Sequence, residues 1–182
     1  MKPSLLLAGF LLAGSPALAA DWSIQPASSS LTFTGTETGA SFTGSFGSWG
    51  GQISYDPAKP QDAHVHLTIA LASAKSGDAQ RDQAMPGSDW FDVSAFPQAT
   101  FDATGFTPQG GDKFLANGTL TIRGVKKPVS LPFTLDVTGN KAVAKGKITL
   151  TRTDFGVGQG AWSSGDYVGL KVDVAFTLTA TS

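Results

Sequence analysis

Apolar and polar residues alternate with a period of two through most of this 182-residue chain. Between positions 63 and 71, Ala63, Val65, Leu67, Ile69 and Leu71 share one side, and His64, His66 and Thr68 share the other. A half-buried strand has this pattern, and a helix does not. Leu31 and Phe33 repeat it, as do Trp49, Ile53 and Tyr55, and then Phe101 and Ala103. It continues in Phe114, Ala116, Gly118, Leu120 and Ile122, then in Val129, Leu131, Phe133, Leu135 and Val137. Ala142, Ala144, Gly146, Ile148 and Leu150 follow, and the last run carries Val172, Val174, Phe176 and Leu178. About eight such strands, mostly joined by short turns, predict an antiparallel meander. One apolar face per strand suits a barrel or a sandwich. The long strands and a single crossover favour an all-β, eight-stranded antiparallel barrel. Pro132 interrupts one of the runs and signals an edge or a bulge, because it cannot donate to a ladder.

The alternation fails between Ala79 and Phe101. Asp78 offers a helix cap, and the chain from Asp78 to Met85 suits a short helix that Pro86-Gly87 ends. Ser88-Asp89 suits a second short turn carrying Trp90 and Phe91, and Pro97 returns the chain to extended structure. This stretch reads as a helical crossover laid over one end of the barrel. It gathers Met85, Trp90, Phe91 and Phe96 with Asp78, Arg81, Asp82, Asp89 and Asp92.

The first 19 residues read as an export signal: Lys2, an apolar run from Leu5 to Ala13 too short to span a bilayer, and Ala17-Leu18-Ala19 as the cleavage site. Residues 20–182 are then expected to form a single exported, soluble, periplasmic domain. There is no Cys, hence no disulfide and no lipid-bearing Cys. The formal net charge is −1, and no basic run of the kind that binds nucleic acid occurs.

Two of the runs turn Ala116, Gly118, Ala142, Ala144 and Gly146 inward, and small residues facing small residues leave room. The interior then either holds a pocket for a long hydrophobic molecule or is filled by large residues from across the barrel. The apolar residues offered to a ligand are Leu31, Phe33, Ile53, Val65, Leu67, Ile69, Phe101, Gly118, Leu120 and Ile122 on the earlier strands. On the later ones they are Leu131, Phe133, Leu135, Gly146, Ile148, Leu150, Val172, Val174 and Phe176. The crossover adds Met85, Trp90 and Phe91. Arg81-Asp82 and Arg152-x-Asp154 fall where strands give way to loops. Each Arg either holds a polar head group or pairs with a nearby carboxylate to pin the crossover. Trp90 and Trp162 either guard the mouth of the pocket or belong to the core.

Catalytic chemistry finds little footing. No G-x-S-x-G elbow, phosphate loop or dinucleotide fingerprint is present. Asp62, His64 and His66 have spacing that suits a metal, but the face they share is the polar one, which points to solvated surface. No cofactor is expected.

An ordered set of motifs runs through the chain. It begins with Ser30-Leu31-Thr32-Phe33, Gly44-Ser45-Phe46 and Gly50-Gly51-Gln52-Ile53. Arg81-Asp82, Asp89-Trp90-Phe91-Asp92 and Phe96-Pro97-Gln98-Ala99-Thr100-Phe101 follow. It closes with Gly118 to Val125, Pro128-Val129 and Arg152-Thr153-Asp154-Phe155-Gly156-Val157-Gly158. Together, in this order, these motifs resemble the YceI-like family of exported lipid-binding proteins. The resemblance implies a lipocalin-like barrel holding an isoprenoid chain, as a polyprenyl lipid or a quinone, with no established enzymatic activity. Family members can dimerise. Thr36-Glu37-Thr38 stands where many members carry a His. That departure, with Asp89-Trp90-Phe91 and Gly158 to Trp162, is similar to the subgroup associated with cytochrome b561-type membrane proteins, which implies such a protein as an alternative partner.

Overall fold

The computed structural model describes residues 20–182, so the expected signal segment lies outside the described residues. Eleven strands form: β1 (Ala20–Ile24), β2 (Ser30–Glu37), β3 (Ala40–Phe46), β4 (Trp49–Tyr55), β5 (His64–Ala70) and β6 (Ala74–Lys75), then β7 (Gln98–Gly110), β8 (Lys113–Ile122), β9 (Val125–Thr138), β10 (Lys141–Thr151) and β11 (Lys171–Thr181). Among the described residues one α-helix, α1 (Ala79–Ala84), lies between β6 and β7. All pairings are antiparallel, and the ring β1-β4-β5-β7-β8-β9-β10-β11 closes through β1 and β11. The expected eight-stranded antiparallel barrel is therefore present, with β2, β3 and β6 added to it.

The extra strands arise because β11 pairs with β10 along its whole length on one edge but is longer than either β1 or β2 on the other. Its end pairs with β1, Ala180 opposite Ile24, and its first half pairs with β2, Val174 opposite Phe33. β1 thus bridges β11 and β4 only at one end, here called the base. A second division lies between β9 and β10. Their ladder runs from Lys141–Thr138 to Gly146–Phe133 and stops. Beyond it β10 pairs only with β11, and the first half of β9 pairs only with β8. The barrel is closed at the base and parts into two leaves at the top, β4-β5-β7-β8-β9 and β10-β11-β2-β3-β6.

Pro132 sits where the β9–β10 ladder ends, and the edge expected there is met locally, inside a continuous sheet. The amide of Leu135 donates toward β8, to the carbonyl of Asp112 at 2.8 Å. Successive amides alternate sides. The nitrogens of Pro128 and Pro132 therefore face the unpaired side, where no ladder bond is lost.

The base is packed solid. Trp22, Tyr55, Phe101, Phe106, Phe133 and Leu178 form its core with Ala63, Ala103, Ala116, Ala142 and Ala180. Phe106 and Phe133 meet edge to face with centroids 5.0 Å apart. Smaller clusters at the top centre on Phe33, Ala74 and Met85, and on Ile69, Leu71 and Ala99.

The crossover forms as its sequence predicts. The Asp78 carboxylate accepts from the Arg81 amide at 2.9 Å and caps α1. Residues after Met85 make hydrogen-bonded turns rather than a second helix, with Trp90 N–H donating to Gly87 O at 3.0 Å and Phe91 N–H to Met85 O at 3.0 Å. Arg123, between β8 and β9, donates to the carbonyls of Ser88 at 2.5 Å and Trp90 at 2.8 Å and tethers this segment.

Candidate ligand cavity

A cavity of about 400 Å³ lies between the two leaves at the top of the barrel. Strand residues supply most of its wall. Leu31 and Phe33 come from β2, Leu67 and Ile69 from β5, Phe101 from β7, and Leu120 and Ile122 from β8. Leu131 of β9, Ile148 and Leu150 of β10, and Val172, Val174 and Phe176 of β11 complete the strand wall, and Met85, Trp90 and Phe91 of the crossover close over it. The strand residues among these have the inward sense that the alternation predicts, and Met85, Trp90 and Phe91 are those expected from the crossover. A wall of this kind gains from covering apolar surface and offers little direction to a bound molecule.

Six expected residues do not reach the cavity. Ile53, Val65, Gly118, Phe133, Leu135 and Gly146 lie toward the base, outside its lining. The small-residue faces leave no space there, because aromatic rings occupy it. A Cβ on Gly146 would lie 2.5 Å from the Phe176 ring, and one on Gly118 would lie 2.8 Å from the Phe101 ring and 2.5 Å from the Asp102 carbonyl. Room in this barrel comes from the parting of the strands, not from small side chains.

The sequence reading also missed part of the wall. Phe42, Phe46, Trp49, Leu71, Val129 and Phe155 line it. Phe42 and Phe46 sit on β3, a strand the alternation reveals only weakly because Gly44 separates them. A Cβ on Gly44 would lie 2.3 Å from the Phe33 ring, so glycine there lets that ring lie flat against the strand.

Charge enters the cavity at two places. At the mouth, between the end of β2 and α1, Arg81 pairs with Glu37 and stacks 4.3 Å from the centroid of Phe42. Asp78 and Gln80 border the same opening. Asp82 is not the partner of Arg81 and does not line the cavity. Its carboxylate accepts from the amide of Ser76 at 2.7 Å and from the hydroxyl at 2.8 Å, which closes the turn before the helix. Those bonds hold the Asp82 carboxyl below the usual carboxylate range.

The second charge is Arg152, which is 5% exposed. Among the described residues it pairs with no carboxylate, and Asp154 is exposed and outside the cavity. The guanidinium instead donates to backbone carbonyls of the following loop: Nε to Gly169 at 3.0 Å, Nη1 to Val157 at 2.9 Å, and Nη2 to Val168 at 2.7 Å and to Trp162. It also lies 5.3 Å from the centroid of Trp90. Burial pulls the Arg152 pKa below its ordinary value. The Trp90 and Trp162 rings pack with centroids 5.6 Å apart, and both border the cavity. The amides of Gly158 and Gln159 donate to the carbonyl of Asp89 at 2.7 and 2.8 Å, which ties the loop to the crossover.

His64 and His66 are exposed on the outer face of β5, and His66 Nδ1 lies 2.5 Å from an Asp102 carboxylate oxygen. Asp62 belongs to a short turn at the base. Among the described residues no group of three or more His, Asp or Glu is placed to hold a metal ion, and no helix is long and apolar enough to cross a membrane.

The fold and the motifs agree with known proteins. The model of the YceI-like domain matches residues 22–180. A UPF0312 protein of Shewanella baltica is 38% identical over 131 residues, covering 70% of this chain and 69% of that protein. The crystal structure of Burkholderia cenocepacia BcnA is similar, with a TM-score of 0.83 and 32% identity over 87% of this chain and 99% of that one. A polyisoprenoid binding domain from Saccharophagus degradans has the same fold, with a TM-score of 0.68 and 17% identity over 91% of this chain and 99% of that one. On the strength of a match that spans nearly all of the barrel, the chain belongs to the YceI-like family.

Proposed function

We propose that this protein binds and carries an isoprenoid lipid, with the chain in the apolar cavity between the two leaves and the polar head at the Arg81–Glu37 mouth. The observation that carries the reading is the cavity itself: a space of ligand size, apolar along its walls and charged at one opening. The polyisoprenoid binding domain of Saccharophagus degradans, a protein of the same fold, supports the choice of ligand class. The reading extends to a polyprenyl compound or a quinone as cargo, to a periplasmic location, and to no bound cofactor. Docking to a cytochrome b561-type protein and a homodimer are the further partners it allows. Incubating the protein with a polyprenyl phosphate and with a long-chain quinone, then weighing it intact by native mass spectrometry, tests the ligand class. A stoichiometric adduct with either compound is expected, and a protein that stays ligand-free with both would overturn the reading.

A further inference from the structure

The chain carries 13 Lys and Arg against 14 Asp and Glu and no long basic run, yet the strand order gathers charge on one wall. β8, β9, β10 and β11 are consecutive neighbours. Lys126 on β9, Lys145 and Lys147 on β10, and Lys171 on β11 are exposed on the outer face, and Lys127, on the opposite side of β9 with the inward sense of Val129, is exposed at the top end of that strand. The acidic residues of these four strands are Asp136 and Asp173, and Asp173 pairs with Lys147 at 2.7 Å. Among the described residues Lys126, Lys127 and Lys145 form no ion pair. The opposite wall, β1, β4, β5 and β7, carries Asp21 and Asp102 and no Lys or Arg. The barrel is therefore electrically two-sided.

The basic wall is also the one that parts. Beyond Gly146–Phe133 the β9–β10 ladder stops, and Leu131 and Ile148, the next inward residues on either side, line the cavity. Lys126 and Lys147 thus stand on either side of a seam with the apolar cavity behind it, and Lys145 and Lys171 extend the charge around it. Pro128 and Pro132 present no N–H to the seam, which disfavours a peptide strand as the group that fills it. Ammonium groups spread along three strands act as point charges and suit a diffuse layer of anionic head groups rather than one bidentate partner.

We infer that the β8–β11 wall docks on the surface of an anionic phospholipid bilayer, and that the seam between β9 and β10 faces the lipid and serves as the route between bilayer and cavity. The docking stands on the charge distribution, whereas the route rests on the proposed binding of an isoprenoid chain.

The test is cosedimentation of the protein with vesicles of phosphatidylglycerol mixed with phosphatidylcholine, and with vesicles of phosphatidylcholine alone. Binding is expected only to the anionic vesicles, and it is expected to weaken as salt rises, since the Debye length shortens from ~10 Å at 0.1 M to ~3 Å at 1 M. The triple variant K126Q/K127Q/K145Q is expected to bind roughly a hundredfold less at low salt. Q52E/H64E/T104E, on the opposite wall, lowers the net charge by the same amount and is expected to bind like the unchanged protein. Equal loss in the two variants, no preference for anionic vesicles, or retention by polyglutamate in place of vesicles would overturn the inference. Uptake of a polyprenyl phosphate from cyclodextrin keeps the two readings apart. Vesicle binding without uptake overturns the ligand and the route but leaves the docking. Uptake from cyclodextrin in both variants, with transfer from anionic vesicles slowed only in K126Q/K127Q/K145Q, supports docking and route together.

Discussion

Gly158 stands against Arg152 with no room for a side chain between them: a Cβ on Gly158 would lie 1.8 Å from Nη1 of the guanidinium. The glycine also has φ +82, a conformation that side chains rarely adopt. The loop can therefore wrap the buried guanidinium only if glycine occupies this position. Gly158→Ala is expected to lower stability by about 3 kcal/mol. A thermal melt reads the loss directly, and an unchanged midpoint would mean that the loop does not close on Arg152.

Arg152 organises this loop through its fork of donors. Lysine keeps the charge and loses the geometry. Arg152→Lys is expected to cost about 2–4 kcal/mol, because several buried carbonyls lose partners together. The protection of loop amides against hydrogen exchange should fall with it, while the amides of the base stay protected. Full stability in the lysine variant would assign Arg152 a purely electrostatic role.

The strand pattern was legible because alternation survives any arrangement of strands in space. Each inward residue from Leu31 to Phe176 could be assigned a face, and the cap at Asp78 was visible from residue types alone. Height along the barrel was not legible. Ile53 and Leu67 have the same inward sense, yet one packs in the base and the other borders the cavity. Only the register between strands, and the end of the β9–β10 ladder at Phe133, separates them. The partner of Arg81 was hidden for the same reason. Asp82 is adjacent in sequence, whereas Glu37 meets Arg81 because β3 pairs both with β2 and with β6, the strand that leads into α1. The one sequence signal was the departure at Thr36-Glu37-Thr38 from the commoner family pattern.

This difference in height separates two substitutions that the alternation alone would treat alike. Gly118→Phe strikes the Phe101 ring and the Asp102 carbonyl in the base, so it is expected to unfold the barrel rather than block binding. Leu131→Trp points into the cavity and is expected to fold, with isoprenoid adducts in native mass spectra reduced tenfold or more, on the order expected when a pocket is filled. Undiminished adduct formation by Leu131→Trp would place the ligand elsewhere.

Acid should loosen the crossover before the barrel. The Asp82 carboxyl is held below its ordinary value of 3.8 by the bonds from Ser76. Its stabilising contribution is therefore complete above that value and disappears as the pH falls through the lower folded-state value. Asp82→Asn is expected to flatten the acid dependence of crossover fluorescence at Trp90 and leave the neutral-pH base intact. Superimposable acid titrations of the two proteins would remove Asp82 from that role.

The ion pair at the mouth is half-exposed, so it adds little to stability, about 0–1 kcal/mol. Arg81→Gln is expected to leave the melting temperature nearly unchanged. It should weaken retention of a polyprenyl phosphate more than that of an uncharged polyprenol, measured as loss of adduct on dilution. Equal retention of the two compounds by both proteins would separate Arg81 from the head group.

The central claim is that the parted top of the barrel is a lipid site. Its most direct test is native mass spectrometry of the protein purified from its producing cell without detergent, followed by solvent extraction and identification of whatever was released. One equivalent of an isoprenoid compound is expected, absent from Leu131→Trp purified in parallel. A protein that emerges empty, and stays empty after exposure to polyprenyl lipids and quinones, would contradict the claim.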